Sequence, residues 1–266
     1  MAEARTLDDP LAEALRIIDL TAERGLLVRL MGGLSFHALT PTWTARIDRQ
    51  GRDIDLATRG TERKAVTELL VSAGYTPDRQ YNALYGHKQL YFVDEAHNRP
   101  VDVLVDRLEM CHTFVFADRL DASRPTLPLA ELLLSKLQIV KINRKDVLDA
   151  LILLSEHPLD RGDGQTDGRG PAAAISLDRI VGLTSGDWGW WRTVTGNLTK
   201  LDDYIGNGLA PEDLQTDHPS PFDPSAQIAA LRQAIEAAPK STKWRLRSRV
   251  GDRVPWYQEP EETAHG

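Results

Sequence analysis

A chain of 266 residues, 41% hydrophobic and 27% charged, is long enough for one large domain or two modest ones around a real core. Its 32 basic and 39 acidic residues, net −7, exclude a protein that coats nucleic acid by bulk charge, though not a local basic patch. No apolar run reaches the roughly 18–20 residues of a membrane helix, and the acidic start MAEARTLDDP has no signal-peptide core. The single cysteine, Cys111, excludes a disulfide framework and a cysteine zinc site, so a cytoplasmic protein with no membrane partner is expected.

Residues 8–24 have the spacing of an amphipathic helix, with Leu11, Leu15, Ile18 and Leu20 near one face. Leu26 to Met31 is a short apolar run, expected as a buried strand and broken by Gly32-Gly33. Leu34 to Leu39 reads as a short helix stopped by Pro41. Asp53 to Ala57 is the next strand, and Thr61 to Ala73 a helix ended by Gly74. His87–Val93 and Val101–Val105 flank DEAHNRP and predict a hairpin. Thr113 to Ala117 is a further strand candidate. From Leu129 the pattern is helical, with Asn143 placed to cap a second helix. The Gly-, Asp- and Pro-rich stretch 158–173 is the expected linker between a first domain, 1–157, and a helical region, 174–266, that ends in a basic tail. The fold class expected is α+β: a mixed sheet flanked by helices, then a mostly helical C-terminal region.

The diglycine follows a strand and opens a helix, so backbone can approach a substrate closely and helix N–H groups can face a phosphate. Ser35 adds a hydroxyl. Alone, such a pair is an ordinary turn. Asp53 and Asp55 lie two apart on a strand and so share a face. Adjacent like charges call for a cation, and two Mg²⁺ ions suit oxygen ligands of this kind. Alone, this pair is a solvent-facing acidic edge. In VDVLVD the valines 101, 103 and 105 form one face, and Asp102 projects from the other. If the two strands are neighbours, three carboxylates converge, an arrangement that can activate a hydroxyl and stabilise departing pyrophosphate.

The string LMGGLSFHAL, then RDIDLA, then VDVLVD, resembles the DNA-polymerase-β type of nucleotidyltransferase. The segment LAELLLSKLQIVKINRKDVLDALILL is similar to that of the AbiEii-like abortive-infection branch, which includes toxins of toxin–antitoxin pairs. The likeness spans about residues 10–157. It implies a nucleotidyltransferase-like fold, an NTP substrate, Mg²⁺, a tRNA 3′ end as acceptor and a cognate antitoxin as partner. It implies nucleotide binding by Gly32, Gly33, Ser35 and Lys136, metal binding by Asp53, Asp55 and Asp102, and catalytic roles for these acids with Lys136 and Asp146. Lys136 also stands out by spacing: it lies on or beside the stripe Leu129, Leu132, Leu133, Leu137, Val140, where a lysine needs an anion, either a carboxylate cluster or a phosphate. The plain alternative for Asp146 is a helix-capping carboxylate. The spacer 34–52 holds RIDRQGR, a candidate loop over the nucleotide.

The other candidates are weaker. The histidines have no metal-ligand spacing. Trp188, Trp190 and Trp191 could stack on bases but are expected in the core. The basic run Lys240–Arg253 could hold RNA phosphates, bind an antitoxin or simply be solvated. The function expected is Mg²⁺-dependent transfer of an NMP to a tRNA hydroxyl. The alternatives are a small-molecule or protein hydroxyl as acceptor, or a non-catalytic binding protein.

Overall fold

The computed structural model describes residues 6–40, 53–162, 170–171, 173–207 and 220–259. The spacer residues RIDRQGR lie outside them. Contacts divide the chain into two units. One holds 1–108, 115–128 and 166–171; the other holds 109–114, 129–165 and 172–266. The helices after Leu129 thus group with the C-terminal region, whereas the expected boundary fell at 157.

In the first unit, Asp9 caps helix α1, Pro10–Glu23, by accepting from the Ala12 N–H, and Pro10 opens the helix. Its buried stripe is Ala14, Ile17, Ile18 and Thr21, not the leucines; Leu11 and Leu20 pack only partly. Strand β1, Val28–Met31, runs into α2, Gly32–Leu39, so both glycines lie inside the helix rather than ahead of it. Strand β2 is Ile54–Thr58 and α3 is Arg63–Ser72. A two-residue strand β3, Thr76–Pro77, leads to α4, Arg79–Tyr85, a helix without a single buried residue. The predicted hairpin forms as β4, Gln89–Asp94, and β5, Arg99–Val105. Thr113–Val115 is also a strand, as expected.

These strands make one mixed sheet in the order β1-β2-β5-β4-β3. Only the β2–β5 pair is parallel; β1–β2, β4–β5 and β3–β4 are antiparallel. One face is apolar: Val28, Leu30, Ile54, Leu56, Leu90, Phe92, Val101 and Val103 pack with residues of α1 and α3. Period-two alternation sends the intervening residues to the other face. Across that face the register aligns Met31, Asp55, Asp102 and Tyr91 in one row over four strands.

The second unit is mainly helical. Helix α5, Leu129–Leu137, is followed by α6, Arg144–Glu156, which Asn143 caps through the Asp146 N–H as the sequence predicts. Then come α7, Leu177–Gly186, α8, Trp188–Gly206, α9, Pro224–Ala237, and α10, Thr242–Ser248. Asp187 ends α7 and caps α8 by accepting from the Gly189 and Trp190 N–H groups, which explains the break in an otherwise helical stretch. Leu159–Asp160, at the start of the expected linker, pairs with Ile175–Ser176, just beyond it. No described helix is long and apolar enough to cross a membrane.

His112 is buried in this unit against Trp190, with ring centroids 4.9 Å apart and Nε2 2.8 Å from Thr193 Oγ1. Burial pushes the imidazole from 6.5 down to about 4, against a smaller upward pull from Asp187. The unfolded chain therefore takes up this proton at a higher pH than the folded one. Stability is whole above pH 6.5 and falls as the pH drops towards 4. Between pH 7 and 5 this group is expected to cost about 2 kcal/mol. Urea unfolding followed by tryptophan fluorescence at both pH values should show a slope that His112→Gln flattens. An unchanged slope in the variant would put the titration elsewhere.

Candidate active site

The two strands that had to be neighbours are neighbours. Asp55 and Asp102 occupy facing positions of the parallel β2–β5 pair, where backbones run about 4.8 Å apart. Asp53 sits exposed just before β2, two residues from Asp55, and its charge acts on Tyr91 of the acidic face. Like charges in facing positions are unfavourable in a bare sheet, so the sheet invests in an acidic face here. Gln89, diagonal to Asp102 on β4, donates its amide to Asp102 Oδ1.

The diglycine is tied to this face from the other side. Gly32 has φ +63°, the left-handed region, and a Cβ built there would fall 1.8 Å from Asp55 Oδ2. Only glycine fits both the backbone and the space. Gly33 differs: among the described residues a Cβ on it would meet nothing within 4 Å. Among the described residues no side chain caps the N-terminus of α2, and such a helix start can meet an anion with its first N–H groups. Ser35 is fully buried and donates its hydroxyl to Gly32 O at 2.7 Å. It braces the glycine turn, where the sequence suggested a phosphate donor.

The row ends in tyrosines that the sequence reasoning missed. Tyr81 of α4 lies 6.1 Å from Tyr91 and 5.0 Å from Tyr85, centroid to centroid. Burial, then the negative charge of Asp102, push the phenols of Tyr81 and Tyr91 upward. Asn82 holds α4 on the sheet: its Oδ1 accepts from the Tyr91 N–H at 2.7 Å and its Nδ2 donates to Tyr91 O at 3.0 Å. The side-chain amide thereby stands in for a neighbouring strand. The signal that could have found this was QLYFVD, whose alternation puts Gln89 and Tyr91 on the face of Asp102.

The facing carboxylates fit a hard cation in donor type, being oxygen ligands without soft competitors. Among the described residues, however, no group of three His, Cys, Asp or Glu side chains is already gathered closely enough to hold a metal ion. The placement of Asp55 and Asp102 on one face, with Asp53 just before β2, supports metal binding; it is not a finished cage.

Lys136 and Asp146 belong to the second unit. Lys136 Nζ lies 2.8 Å from Asp146 Oδ1 and 3.1 Å from Asp149 Oδ2, and both carboxylates are buried. The inward lysine thus meets an anion of its own unit. Burial pulls its pKa down, but the two acids more than compensate and the net shift is upward. Asp146 lies in the first turn of α6, where a carboxylate favours the helix dipole, and its Oδ1 accepts from Lys136 Nζ. Lys136→Met would leave two buried acids without their cation, and a loss of about 3 kcal/mol is expected. A thermal melt near neutral pH that moves by less than about 2 °C would show the pair to be dispensable.

Other sequence candidates resolve plainly. Trp188 and Trp190 are buried, as expected of core residues, whereas Trp191 is half-buried and donates its Nε1–H to Glu236. Part of the basic run is engaged within its own unit. Arg247 lies 4.6 Å over the Trp188 ring and donates to Gly251 O and Val254 O, and Lys243 pairs with Asp187.

Residues 13–97 match the family model of Aminoglycoside-2''-adenylyltransferase, a span that takes in α1, the glycine turn, β2, α4 and β4 and stops short of β5. That match supports nucleotidyltransferase activity. No curated protein matches the chain. Among solved structures, the lincomycin-bound lincosamide antibiotic adenylyltransferase LnuA is 16% identical, covering 56% of this chain and 98% of its own, with a TM-score of 0.40. The antibiotic-resistance factor ANT(2'')-Ia is 14% identical, covering 56% and 85%, at 0.38. The STING-associated CdnE c-di-GMP synthase from Capnocytophaga granulosa is 14% identical, covering 88% and 83%, at 0.24.

Proposed function

We propose that the first unit is a Mg²⁺-dependent nucleotidyltransferase that moves an NMP from an NTP to a hydroxyl of a small molecule in the cytoplasm. The observation that carries this is the row Met31–Asp55–Asp102–Tyr91, with Gly32 packed directly against Asp55. It joins an anion-binding turn to a pair of carboxylates that want a cation. The Gly32-Gly33 turn and the N–H groups of α2 receive the triphosphate, and Ser35 keeps the turn in shape. Asp53, Asp55 and Asp102 hold the metal. Mg²⁺, when bound, neutralises the phosphates and favours the ionised acceptor hydroxyl. Asp102 takes the proton of that hydroxyl, with Gln89 fixing its orientation. The oxygen attacks the α-phosphorus, the bond to the bridging oxygen breaks, and pyrophosphate leaves.

A small-molecule acceptor follows the name of the matching family, whose members act on aminoglycosides. The tRNA acceptor, the antitoxin partner and the AbiEii-like branch rest on the sequence resemblance alone. Lys136 and Asp146 enter this proposal only as a buried ion pair. The test is pyrophosphate release with Mg²⁺ and each NTP in turn, offered aminoglycosides, lincomycin or total tRNA. Release with an aminated sugar and not with tRNA is expected. Release with tRNA alone would restore the nucleic-acid acceptor, and no release with any pair would end the enzyme reading.

A further inference from the structure

The basic run at the end of the second unit divides into two sets of cations. Six of the fourteen residues from Lys240 to Arg253 are basic against one acid, Asp252, in a chain of net −7. Three of the six are engaged within the unit. Lys240 donates to Ile235 O, Lys243 lies 3.0 Å from Asp187 Oδ2, and Arg247 lies over Trp188 while donating to Gly251 O and Val254 O. Arg245, Arg249 and Arg253 are exposed, and among the described residues none of their side chains meets an acid. Each of these three is followed by an exposed aliphatic residue: Leu246, Val250 and Val254 are 57%, 40% and 50% exposed. Single exposed aliphatic residues are ordinary; three within nine residues are not. We propose that this strip docks an amphipathic helix of a partner protein, with acids along one side and apolar residues along the next.

The strip is a fixed surface. Ser241 caps α10 by accepting from the Trp244 N–H, and its own N–H and hydroxyl donate to Ser185 O and Gly186 O. The helical backbone continues through Arg249 and Val250, so Arg245 and Arg249 share one face, and Leu246 and Val250 the next. Gly251, at φ +62°, then turns the chain, and the Arg247 guanidinium ties Gly251 and Val254 back against the buried Trp188. A row ordered before the partner arrives loses little entropy on binding. Charge and rings select the occupant. Arginines beside aliphatic side chains match carboxylates beside apolar ones. An extended anionic surface, whether duplex or lipid, would also meet the rest of a chain of net −7, including Asp252 beside Arg253. A helix about 10–12 Å across touches the strip alone. Single-stranded nucleic acid needs rings to stack on, and the tryptophans here are already engaged. Trp191 pairs with Trp244 and Trp188 with Trp256, while Lys240, Arg247 and Arg192 lie over Trp244, Trp188 and Trp256. The inference stands apart from the nucleotidyltransferase reading of the first unit.

The test uses the full chain and a displayed library of random peptides about 16 residues long, roughly four helical turns. The library is first depleted on the Arg245→Glu/Arg249→Glu variant and then selected on wild type. Circular dichroism and a thermal melt check that every variant keeps its fold. The expected result is a set of selected peptides with acids and apolar residues on adjoining helical faces. The strongest of them, synthesised with a fluorescent label, should lose at least about tenfold in affinity for Arg249→Glu and for Leu246→Ser/Val250→Ser. Lys64→Glu, the same charge change on an exposed lysine of the first unit, should alter affinity less than about twofold. Selection of no peptides, or of peptides without acids, would overturn the proposal, and so would equal losses for Lys64→Glu and Arg249→Glu. Phosphatidylserine vesicles and total tRNA are the other arms. If wild type binds either of these and not the peptides, and Arg249→Glu does not, the strip belongs to a membrane or a nucleic acid. Self-association of wild type that Arg249→Glu abolishes, followed by sedimentation velocity, would assign it to a second copy of this chain instead.

Discussion

Asp55→Asn is expected to lower nucleotidyl transfer by about 10³-fold, roughly 4 kcal/mol of transition-state stabilisation, while the protein stays folded. The substitution keeps the size and shape of the side chain at the position where Met31, Asp55 and Asp102 face one another. It removes one of two facing negative charges, so thermal stability should hold or rise slightly. Asp102→Asn should do the same to activity, because it removes the proton acceptor and a donor oxygen together. In both variants Mg²⁺ should no longer tighten NTP binding. Thermal melts and pyrophosphate assays on the same samples check the pairing of lost activity with kept stability. A loss of both would make the acidic row structural, and a loss of neither would leave it idle.

The second large effect is at the turn. Gly32→Ala places a methyl where Asp55 Oδ2 stands and asks alanine to hold φ +63°. The backbone strain alone is of order 1–3 kcal/mol, and the Asp55 carboxylate must move to admit the methyl. A fall of about 100-fold in activity with a lowered melting temperature is expected. Gly33→Ala is the contrasting case. Its backbone is not left-handed and its Cβ would meet nothing within 4 Å, so stability should be kept or gain up to about 1 kcal/mol from helix propensity. Activity should nevertheless fall, because the added methyl occupies the space assigned to the triphosphate. If Gly33→Ala transfers as well as wild type, the phosphates do not come to this turn.

Much of the acidic face was legible in the sequence. The valines at 101, 103 and 105 against Asp102, and the two-residue spacing of Asp53 and Asp55, fix which side of each strand is polar. What sequence could not supply was the pairing of β2 with β5, since strands about 45 residues apart carry no local sign of their register. That pairing turns two acidic strands into one row. The helix α4 was missed for a physical reason: Tyr81, Leu84 and Tyr85 do have helical spacing, but a seven-residue helix is too short for that spacing to stand out as a period. The face of α1 was misjudged because large leucines drew attention, while the buried stripe runs through Ala14 and Thr21 beside Ile17 and Ile18. Lys136 shows an intermediate case. Its position among leucines announced an anionic partner, a carboxylate cluster or a phosphate; only the fold could show Asp146 and Asp149 at ion-pair distance.

The most direct test of the central claim follows the α-phosphate itself. ATP labelled at that phosphorus is incubated with Mg²⁺, aminoglycoside acceptors and wild type, Asp55→Asn or Asp102→Asn protein, and the acceptors are separated from nucleotide. Label on an acceptor with wild type, absent with both variants and without Mg²⁺, is the predicted result. Label transferred undiminished by Asp55→Asn would contradict the account.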